Sequence, residues 1–412
     1  MSAFTPNKRK IFNDPVHGFI AIPNELAFDV IEHPFFQRLR RIRQLGLTPL
    51  VYPGALHTRF HHAIGAMHLM GLAIDTLRLK GNEITPAEED AVTLAILMHD
   101  IGHGPYSHAL ENSIVSGLTH EDLSLLFMNR LNDQFEGRLT DAISIFKDCY
   151  PKRFLHQLVS SQLDIDRLDY LKRDSYFTGV SEGVINTDRI IAMLNVKDDE
   201  LVIEAKGIFT IEKFIMARRF MYWQVYFHKT VVAAEQMLIH MLNQAKELSE
   251  EGVNLFGSPS LQLFLRNRFT VEDFEMHSEV LENFALLDDF DIYAAMKVWA
   301  LHDDPVLSYL SSSLINRKLF RSELQYKPFD PAYIQKIREE VSNLLPFPEK
   351  AHADIVFEGT ITNNAYNPEL DKIKILYRNG DIVDIAEASD QINISVLSKS
   401  DVKHFLCYPK LS

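Results

Sequence analysis

Helical patterns of apolar and polar positions dominate residues 1–245. The clearest begins at Thr85-Pro86, where threonine can cap a helix, proline suits the first turn and Glu88 can complete a capping box. Residues 91–98 then follow, apolar except at Thr93, so this helix is predicted to lie centrally in the fold. Further helices are predicted over residues 34–44, 60–79 and 211–248, and after the cap Thr119.

The pattern changes beyond residue 250. Short helices continue to about residue 345, and strand-like runs follow at 355–357, 373–377, 381–385 and 405–407. Arg378-Asn379-Gly380 predicts a hairpin turn, and a second hairpin is predicted over 201–209 around residues 205–207. The sequence therefore predicts a mainly α protein, with a helical domain at residues 1–245 and a smaller α+β lobe at residues 246–412.

Composition excludes several classes of protein. A hydrophobic content of 46% with 24% charged residues is typical of a folded globule. The net charge of −14 argues against a general binder of nucleic acid or membrane surfaces. Cys149 and Cys407 are too few for a disulfide framework, and no apolar run reaches the roughly 20 residues of a membrane span. The start of the chain lacks the features of a signal peptide, so we expect a cytoplasmic location.

The segment from His99 to His108, HDIGHGPYSH, carries the first sign of chemistry. His99 and Asp100 present an imidazole and a carboxylate within reach of one cation, which would offset the cost of burying the carboxylate. Two neighbours cannot complete a coordination shell, so further ligands must come from other helices. The candidates are the pair His61-His62 and the acids Asp164, Asp166 and Asp169.

These residue types also have structural interpretations. A histidine at a helix end is more often a cap or a core residue than a ligand, and we interpret His57, His61 and His68 in that way. The acidic run 164–169, taken alone, is more often a solvated helix face. A bundle core lined by histidines and carboxylates is nevertheless a familiar metal site. Two nitrogens and two carboxylates leave open positions on a divalent ion, which suits Mn, Fe, Ni or Mg better than a closed structural Zn site. Water in such a position is a hydrolytic nucleophile.

Two further segments have two interpretations each. The basic run at residues 37–44 is either a solvated helix face or an anion site for a nucleotide phosphate. Arg59 is a more specific candidate because it precedes a proposed ligand by three residues and could clamp a phosphate bidentately. The aromatic cluster at residues 222–227 is either core or a shelf on which a base stacks.

The series His62, His99-Asp100, Asp166 resembles the H…HD…D signature of the HD-domain phosphohydrolases. Longer strings resemble the deoxynucleoside triphosphate triphosphohydrolase (dNTPase) branch and cover roughly residues 10–245. They read IFNDPVHGFI, FQRLRRIRQLG, PGALHTRFHHAIG, HDIGHGPYSHALE, LTHED and IDRLDYLKRD. The resemblance implies an HD-domain helical bundle. That branch includes a vertebrate enzyme, and this chain has different residue types from it at His61, Arg167 and Phe227.

The resemblance also implies roles for individual residues. The metal ligands are His62, His99, Asp100 and Asp166. The catalytic positions are His103, His108, Glu111 and His120. The substrate positions are Gln44 and Leu45 at the sugar, with Asp164, Arg59, Arg167, Tyr170, Asp174, Arg218 and Tyr226 around phosphates, sugar and base. An activating nucleotide is expected at Lys10, Gln37 and Arg40.

The predicted function is metal-dependent hydrolysis of nucleotide phosphoesters, above all release of triphosphate from a dNTP. His108, oriented by Glu111, is the predicted general acid for the leaving 5′-oxygen. Two alternatives stay open: an HD-type phosphodiesterase or nucleotidase acting on mono- or cyclic nucleotides, and a non-catalytic nucleotide sensor. We expect a homo-oligomer, with no membrane partner and no nucleic-acid partner.

Overall fold

The structure is a computed structural model. It describes residues 10–411 except 107, 112, 114, 116, 346, 348–354, 364, 369–370, 390–393 and 395–400, and it describes positions 108 and 111 without their side chains. The chain is mainly α-helical, with small sheets near the N-terminus and in the C-terminal region, as predicted. Among the described residues, no helix is both long and apolar enough to cross a membrane.

The first half of the chain forms most of the helical bundle. A hairpin of β1 (Ile11–Asp14) and β2 (Gly18–Ala21) precedes it. The helices are α1 (Glu25–Glu32), α2 (Pro34–Gln37), α3 (Arg59–Leu79), α4 (Pro86–Met98), α5 (His108–Glu111), α6 (His120–Gln134), α7 (Thr140–Phe146), α8 (Arg153–Val159), α9 (Ile165–Thr178), α10 (Thr187–Met193), α11 (Ile208–Met221) and α12 (Lys229–Glu250).

Residues 259–408 add shorter helices and, together with two earlier strands, the remaining sheets. The helices are α13 (Pro259–Arg266), α14 (Val271–Met276), α15 (Ser278–Leu286), α16 (Asp289–Trp299), α17 (Pro305–Ile315), α18 (Pro331–Leu344) and α19 (Ile385–Ala388). The remaining strands are β3 (Leu194–Lys197), β4 (Glu200–Glu204), β5 (Arg321–Gln325), β6 (Phe357–Asn363), β7 (Lys374–Leu376), β8 (Ile382–Asp384) and β9 (Asp401–Tyr408). They form sheets of order β3-β4-β7-β8 and β5-β9-β6.

The capped helices are confirmed. Thr85 accepts a hydrogen bond from the Glu88 amide, and the Glu88 carboxylate accepts one from the Thr85 amide. Every residue from 91 to 98 is buried, so α4 is the central helix that the apolar run predicts. Thr119 caps α6 through the Asp122 amide. Helix α3, predicted over 60–79, packs against α4 and α9 and brings three ligand-bearing elements together.

The prediction of one helix over 34–44 is wrong beyond Gln37, where α2 ends. A 3-10 turn, Arg38–Arg41, follows α2, and Ile42 is extended. Arg43 pairs with Thr58 in an isolated bridge. Arg38 is fully buried, donates to the Ile101 carbonyl at 3.0 Å and so cannot belong to a solvated helix face. Tertiary contacts therefore override the helical propensity of this basic run.

The continuous helix predicted over 211–248 is also wrong. A π-helical turn at Tyr222–Tyr226 ends α11, and His228 caps α12 by accepting from the Thr230 amide. Such turns are frequent at functional sites, and this one carries Tyr226. The hairpin predicted over 201–209 lies earlier in the chain, between β3 and β4. Asp198 and Asp199 turn the chain there with positive φ, which aspartate tolerates.

The C-terminal strands agree in part with the predictions. β7, β8 and β9 fall on predicted runs, and Gly380 turns β7 into β8 with φ of +90°. β6 begins where the predicted run 355–357 ends, and β5 was not predicted. The predicted domain border at residue 245 lies inside α12, and β4 pairs in parallel with β7 across it. The division into two domains stays a prediction.

Candidate metal centre and substrate site

Three side chains from three helices meet at the centre of the bundle. The Nε2 atom of His62 on α3 lies 3.3 Å from Nε2 of His99 at the end of α4. Oδ1 of Asp166 on α9 lies 3.1 Å from the first nitrogen and 3.4 Å from the second. The Asp100 carboxylate completes the set, with Oδ1 lying 3.4 Å from His99 Nε2. His62, His99 and Asp166 therefore bring ligand-type atoms within 4.8 Å of one another, and Asp100 lies beside both histidines.

Both imidazoles are oriented by hydrogen bonds at Nδ1. His62 Nδ1 donates to Asp169 Oδ2 at 2.8 Å, and His99 Nδ1 donates to the Ile96 carbonyl at 2.6 Å. Because Nδ1 donates in each ring, Nε2 is the nitrogen that faces the shared point in both histidines. His61, the other member of the pair, instead accepts from the Thr58 amide at the start of α3. The interpretation of His61 as a cap is confirmed.

A buried network of ion pairs holds Asp169. Arg173 donates to both Asp169 oxygens, at 2.8 and 2.9 Å, and to Asp14 at 2.7 Å. His17 lies 2.7 Å from Asp169 Oδ1. A Cβ at Gly65 would lie 2.1 Å from both Arg173 Nη2 and Asp169 Oδ1, so the network needs glycine there. This second layer of contacts fixes the ligand His62.

A further group lies beside the ligands. The Arg59 guanidinium hydrogen-bonds Asp100 Oδ2, and His103 Nδ1 lies 3.3 Å from Asp100 Oδ1. The His103 and His120 rings stack with centroids 4.0 Å apart. Asp100, His103 and His120 bring ligand-type atoms within 4.8 Å of one another. The predicted catalytic histidines His103 and His120 therefore border the ligand set.

The electrostatics of the centre suit a cation. Burial opposes a charge on His62, yet its hydrogen bonds to the Asp166 and Asp169 carboxylates raise its pKa to about 10, so a bound cation would take the place of the proton on Nε2. Burial would raise the pKa of Asp166, but His62 and His99 lower it below the usual range. Burial and the nearby Arg59 charge lower the pKa of His103 to about 3. A donor set of two imidazoles and two carboxylates fits a divalent ion with open positions.

Five of the residues predicted to hold substrate form a substrate-side cluster, defined as Arg167, Tyr170, Asp174, Arg218 and Tyr226. The Tyr170 ring lies between the metal ligands and Tyr226, with centroids 6.5 Å from His62 and 6.3 Å from Tyr226. Tyr226 donates to Asp174 Oδ2 at 2.7 Å. Burial raises the pKa of Tyr170, and the charges of Arg218 and Arg167 oppose this, so both guanidinium groups lie near the phenol.

Two guanidinium groups of this cluster have unfilled hydrogen-bonding capacity. Arg167 pairs with Asp164, and Arg218 donates to Gln162 Oε1 at 3.3 Å. Within the described residues, the Nε atoms of Arg167 and Arg218 are buried without a hydrogen-bond partner. Asp164 also caps α9 through the Arg167 amide, so its carboxylate orients Arg167.

The turn that carries Gln44 and Leu45 is joined to the start of α3. The Gln44 amide donates to the His57 carbonyl at 3.1 Å, and the Gln44 side-chain oxygen is buried without a partner in the described part of the chain. His57 Nε2 donates to Asp174 Oδ1 at 2.7 Å. The predicted sugar-sensing turn therefore contacts the substrate-side cluster through His57.

The residues predicted to bind an activating nucleotide lie on one part of the surface. Lys10 pairs with Glu32 at 3.0 Å. Gln37 donates to the Ile31 carbonyl at 2.7 Å and accepts from Arg40 Nε at 2.8 Å. Because Ile31 and Glu32 are neighbours at the end of α1, the three predicted residues are adjacent.

The side chains of His108 and Glu111 lie outside the described residues, although their backbone forms α5. The sequence analysis did not predict that Asp169 and Arg173 support His62. It interpreted His57 as a core residue and did not predict its hydrogen bond to Asp174. Asp169 follows Asp166 by one helical turn, and this spacing was the available signal. Arg173 and His57 gave no local signal, because their partners lie far away in the sequence.

Comparisons with known proteins place the chain in a family. Residues 59–170 match the HD domain, and residues 185–268 match the HD-associated region. A solved phosphohydrolase of Bacteroides thetaiotaomicron is 54% identical, covers 98% of this chain and 100% of its own, and superposes with a TM-score of 0.94. The chain belongs to the HD-domain family of phosphohydrolases.

Two curated relatives show the breadth of this family. Protein YwfO of Bacillus subtilis, described as uncharacterized, is 32% identical over 98% of this chain and 93% of its own length. The deoxynucleoside triphosphate triphosphohydrolase SAMHD1 homolog of Dictyostelium discoideum is 34% identical over 58% of this chain. The match covers about half the length of that Dictyostelium protein (50%).

Proposed function

We propose that the protein hydrolyses dNTPs to a deoxynucleoside and inorganic triphosphate. The observation that carries this proposal is the pair of guanidinium groups of Arg167 and Arg218, whose buried Nε atoms lack hydrogen-bond partners in the described residues. Together with Arg59 beside Asp100, they provide positive charge for a polyphosphate next to the metal ligands. The Dictyostelium relative is named as a deoxynucleoside triphosphate triphosphohydrolase homolog, which supports the same substrate class.

Different residues of the chain would perform different parts of such a reaction. A divalent ion held by His62, His99, Asp100 and Asp166 would supply a polarised water at neutral pH. Arg59 and Arg167 neutralise negative charge on the phosphate chain, which is the main catalytic demand of phosphoryl transfer. Asp164 holds Arg167 in place for this purpose.

We assign binding of the sugar to the residues on the side of Tyr170 that faces away from the candidate metal ligands. Tyr226 and Asp174 form a hydrogen-bonded pair that can contact a deoxyribose hydroxyl. The backbone of Gln44 is joined to the same region through His57, and its side-chain oxygen is buried without a hydrogen-bond partner within the described part of the chain. The predicted acid for the leaving 5′-oxygen is His108, with His103 and His120 positioning phosphates or assisting proton transfer.

A product assay tests this proposal. Purified protein with Mn²⁺ is incubated with each dNTP and NTP, and nucleosides, nucleotides and inorganic phosphates are separated; Asp166→Ala serves as the inactive control. Deoxynucleoside and triphosphate in equal amounts support the proposal. Release of orthophosphate or pyrophosphate would favour a nucleotidase or phosphodiesterase, and bound but unhydrolysed nucleotide would favour a sensor.

We also propose that an activating nucleotide binds at Lys10, Gln37 and Arg40 and that the protein is a homo-oligomer. The adjacency of the three side chains supports a shared anion site. Light scattering with and without nucleotide measures the mass. A monomer with full dNTPase activity would contradict the oligomer and its activation together.

A further inference from the structure

Asp289 connects the C-terminal region to the candidate site. It is the first residue of α16 and is 5% exposed. Its Oδ2 accepts a hydrogen bond from the Arg43 amide at 3.0 Å, and its Oδ1 accepts one from the Tyr106 amide at 3.0 Å. The carboxylate therefore joins two segments that lie more than 60 residues apart in the sequence.

Each of these segments leads directly into the site. Arg43 precedes Gln44 and Leu45 and pairs with Thr58, the residue before Arg59. Tyr106 ends the glycine-rich turn that follows Asp100, and α5 begins two residues later. A change in the separation of the two segments would thus move the sugar-sensing turn relative to the metal ligands.

The two segments touch in a strained arrangement. Tyr106 has a φ of +51°, which is unfavourable for a bulky residue and is held here by burial and by the Asp289 hydrogen bond. Gly46 faces it with a φ of +47°, and a Cβ at Gly46 would lie 3.9 Å from Tyr106 Cα. The neighbouring Asp288 pairs with Arg41 and so fastens the same basic segment a second time.

We propose that Asp289 is a positioning residue that fixes the Gln44–Leu45 turn against the Tyr106 turn and thereby sets discrimination between deoxyribose and ribose. This inference rests on the proposed function. A carboxylate suits the position because both of its oxygens accept, one from each amide. An asparagine keeps one acceptor and places an NH₂ group against the second amide, so it separates the two turns without changing side-chain volume.

The test compares Asp289→Asn with Asp291→Asn. Asp291 lies on the same helix and accepts from the Asp288 amide at 2.8 Å, but it contacts neither turn in the described structure. We expect Asp289→Asn to lower the dNTP-to-NTP ratio of kcat/KM by about tenfold, as loss of one charged hydrogen bond predicts, while the control keeps the wild-type ratio. Where Asp289→Asn folds poorly, Gly46→Ala strains the same turn and is expected to lower the ratio too. An unchanged ratio would overturn the proposal.

Hydrogen exchange separates this inference from the proposed function. Exchange in peptides covering residues 43–47 and 103–106 should accelerate in Asp289→Asn and stay at the wild-type rate in Asp291→Asn. This readout needs no substrate, so it tests the role of Asp289 even if the wild-type protein hydrolyses no dNTP. Wild-type exchange in both peptides of Asp289→Asn would overturn the positioning role.

Discussion

Asp169 accepts the Nδ1 hydrogen of His62 at 2.8 Å, one helical turn after the ligand Asp166. Helix α9 therefore supplies one candidate ligand and also orients a second candidate ligand that lies on α3. Partners of this kind fix the ring of a metal-bound histidine and raise its basicity. Arg173 and His17 in turn hold Asp169, so the metal centre depends on residues up to two contacts away from it.

Asp169→Asn should weaken metal binding by about 10- to 100-fold, because His62 loses the carboxylate that orients it. Isothermal titration with Mn²⁺ measures the affinity, and circular dichroism checks that the helices are retained. Asp75→Asn, an exposed change on α3, is the control. Wild-type affinity in Asp169→Asn would show that the hydrogen bond does not support the metal centre.

Asp166→Ala should abolish bound divalent metal and hydrolysis while leaving the helical fold largely intact. Asp166 is a ligand candidate from the first turn of α9, and Asp164 rather than Asp166 caps that helix. Elemental analysis of the purified variant measures the metal. If the variant retains the wild-type metal content, Asp166 is not part of the site.

Tyr226→Phe should raise KM for the dNTP by about tenfold or more, because the phenol that donates to Asp174 is lost while the ring contacts stay. Steady-state kinetics measure the effect. Tyr176→Phe is the control, since Tyr176 is 59% exposed. Equal KM values for Tyr226→Phe and wild type would remove the pair from the sugar site.

His108→Ala should lower kcat by on the order of 10²–10⁴-fold with nucleotide affinity retained, as expected for loss of a general acid. This prediction comes from the sequence, where His108 follows the glycine-rich turn and Glu111 lies three residues on. Single-turnover kinetics measure the chemical step. A wild-type rate would assign the proton to His103, His120 or water.

Glu235→Gln tests a partly buried carboxyl on α12. Burial raises the pKa of Glu235 to about 7 from a reference of 4.5. Between these values the folded protein holds a proton that the unfolded chain has lost. The free energy of unfolding of the wild type therefore falls as the pH rises through this window. The Tm of Glu235→Gln should therefore exceed that of wild type at pH 8, with the gap closing at pH 5.

The control is Glu247→Gln, an exposed residue of the same helix, whose Tm should follow that of wild type at both pH values. Thermal denaturation by circular dichroism provides the measurement. A constant Tm difference between Glu235→Gln and wild type from pH 5 to pH 8 would show that Glu235 does not titrate in this window.

Local signals in the sequence predicted much of the fold. The capping boxes at Thr85 and Thr119 and the apolar run 91–98 are decided by neighbours within one or two turns, and they are confirmed. The basic run after α2 was misassigned because its conformation depends on distant partners. Arg38 donates to Ile101, and the Arg43 amide donates to Asp289.

The same distinction between local signals and long-range contacts applies to the candidate site. The order His62, His99-Asp100, Asp166 marks the candidate ligands because it resembles the H…HD…D signature, whereas the residue types alone left Asp164 and Asp169 open as well. The contacts of His57 with Asp174 and of Asp289 with Tyr106 span more than 100 residues each. No periodicity or capping pattern in the sequence indicates such contacts, so only the three-dimensional structure reveals them.

Hydrolysis in H₂¹⁸O tests the central claim, cleavage of a dNTP to deoxynucleoside and triphosphate, most directly, because this cleavage requires that water attack the α-phosphorus. The protein is incubated with Mn²⁺ and a dNTP in labelled water, and the products are analysed by mass spectrometry. We predict one ¹⁸O atom in the inorganic triphosphate and none in the deoxynucleoside. Label in the deoxynucleoside, or release of pyrophosphate or orthophosphate instead of triphosphate, would contradict the account.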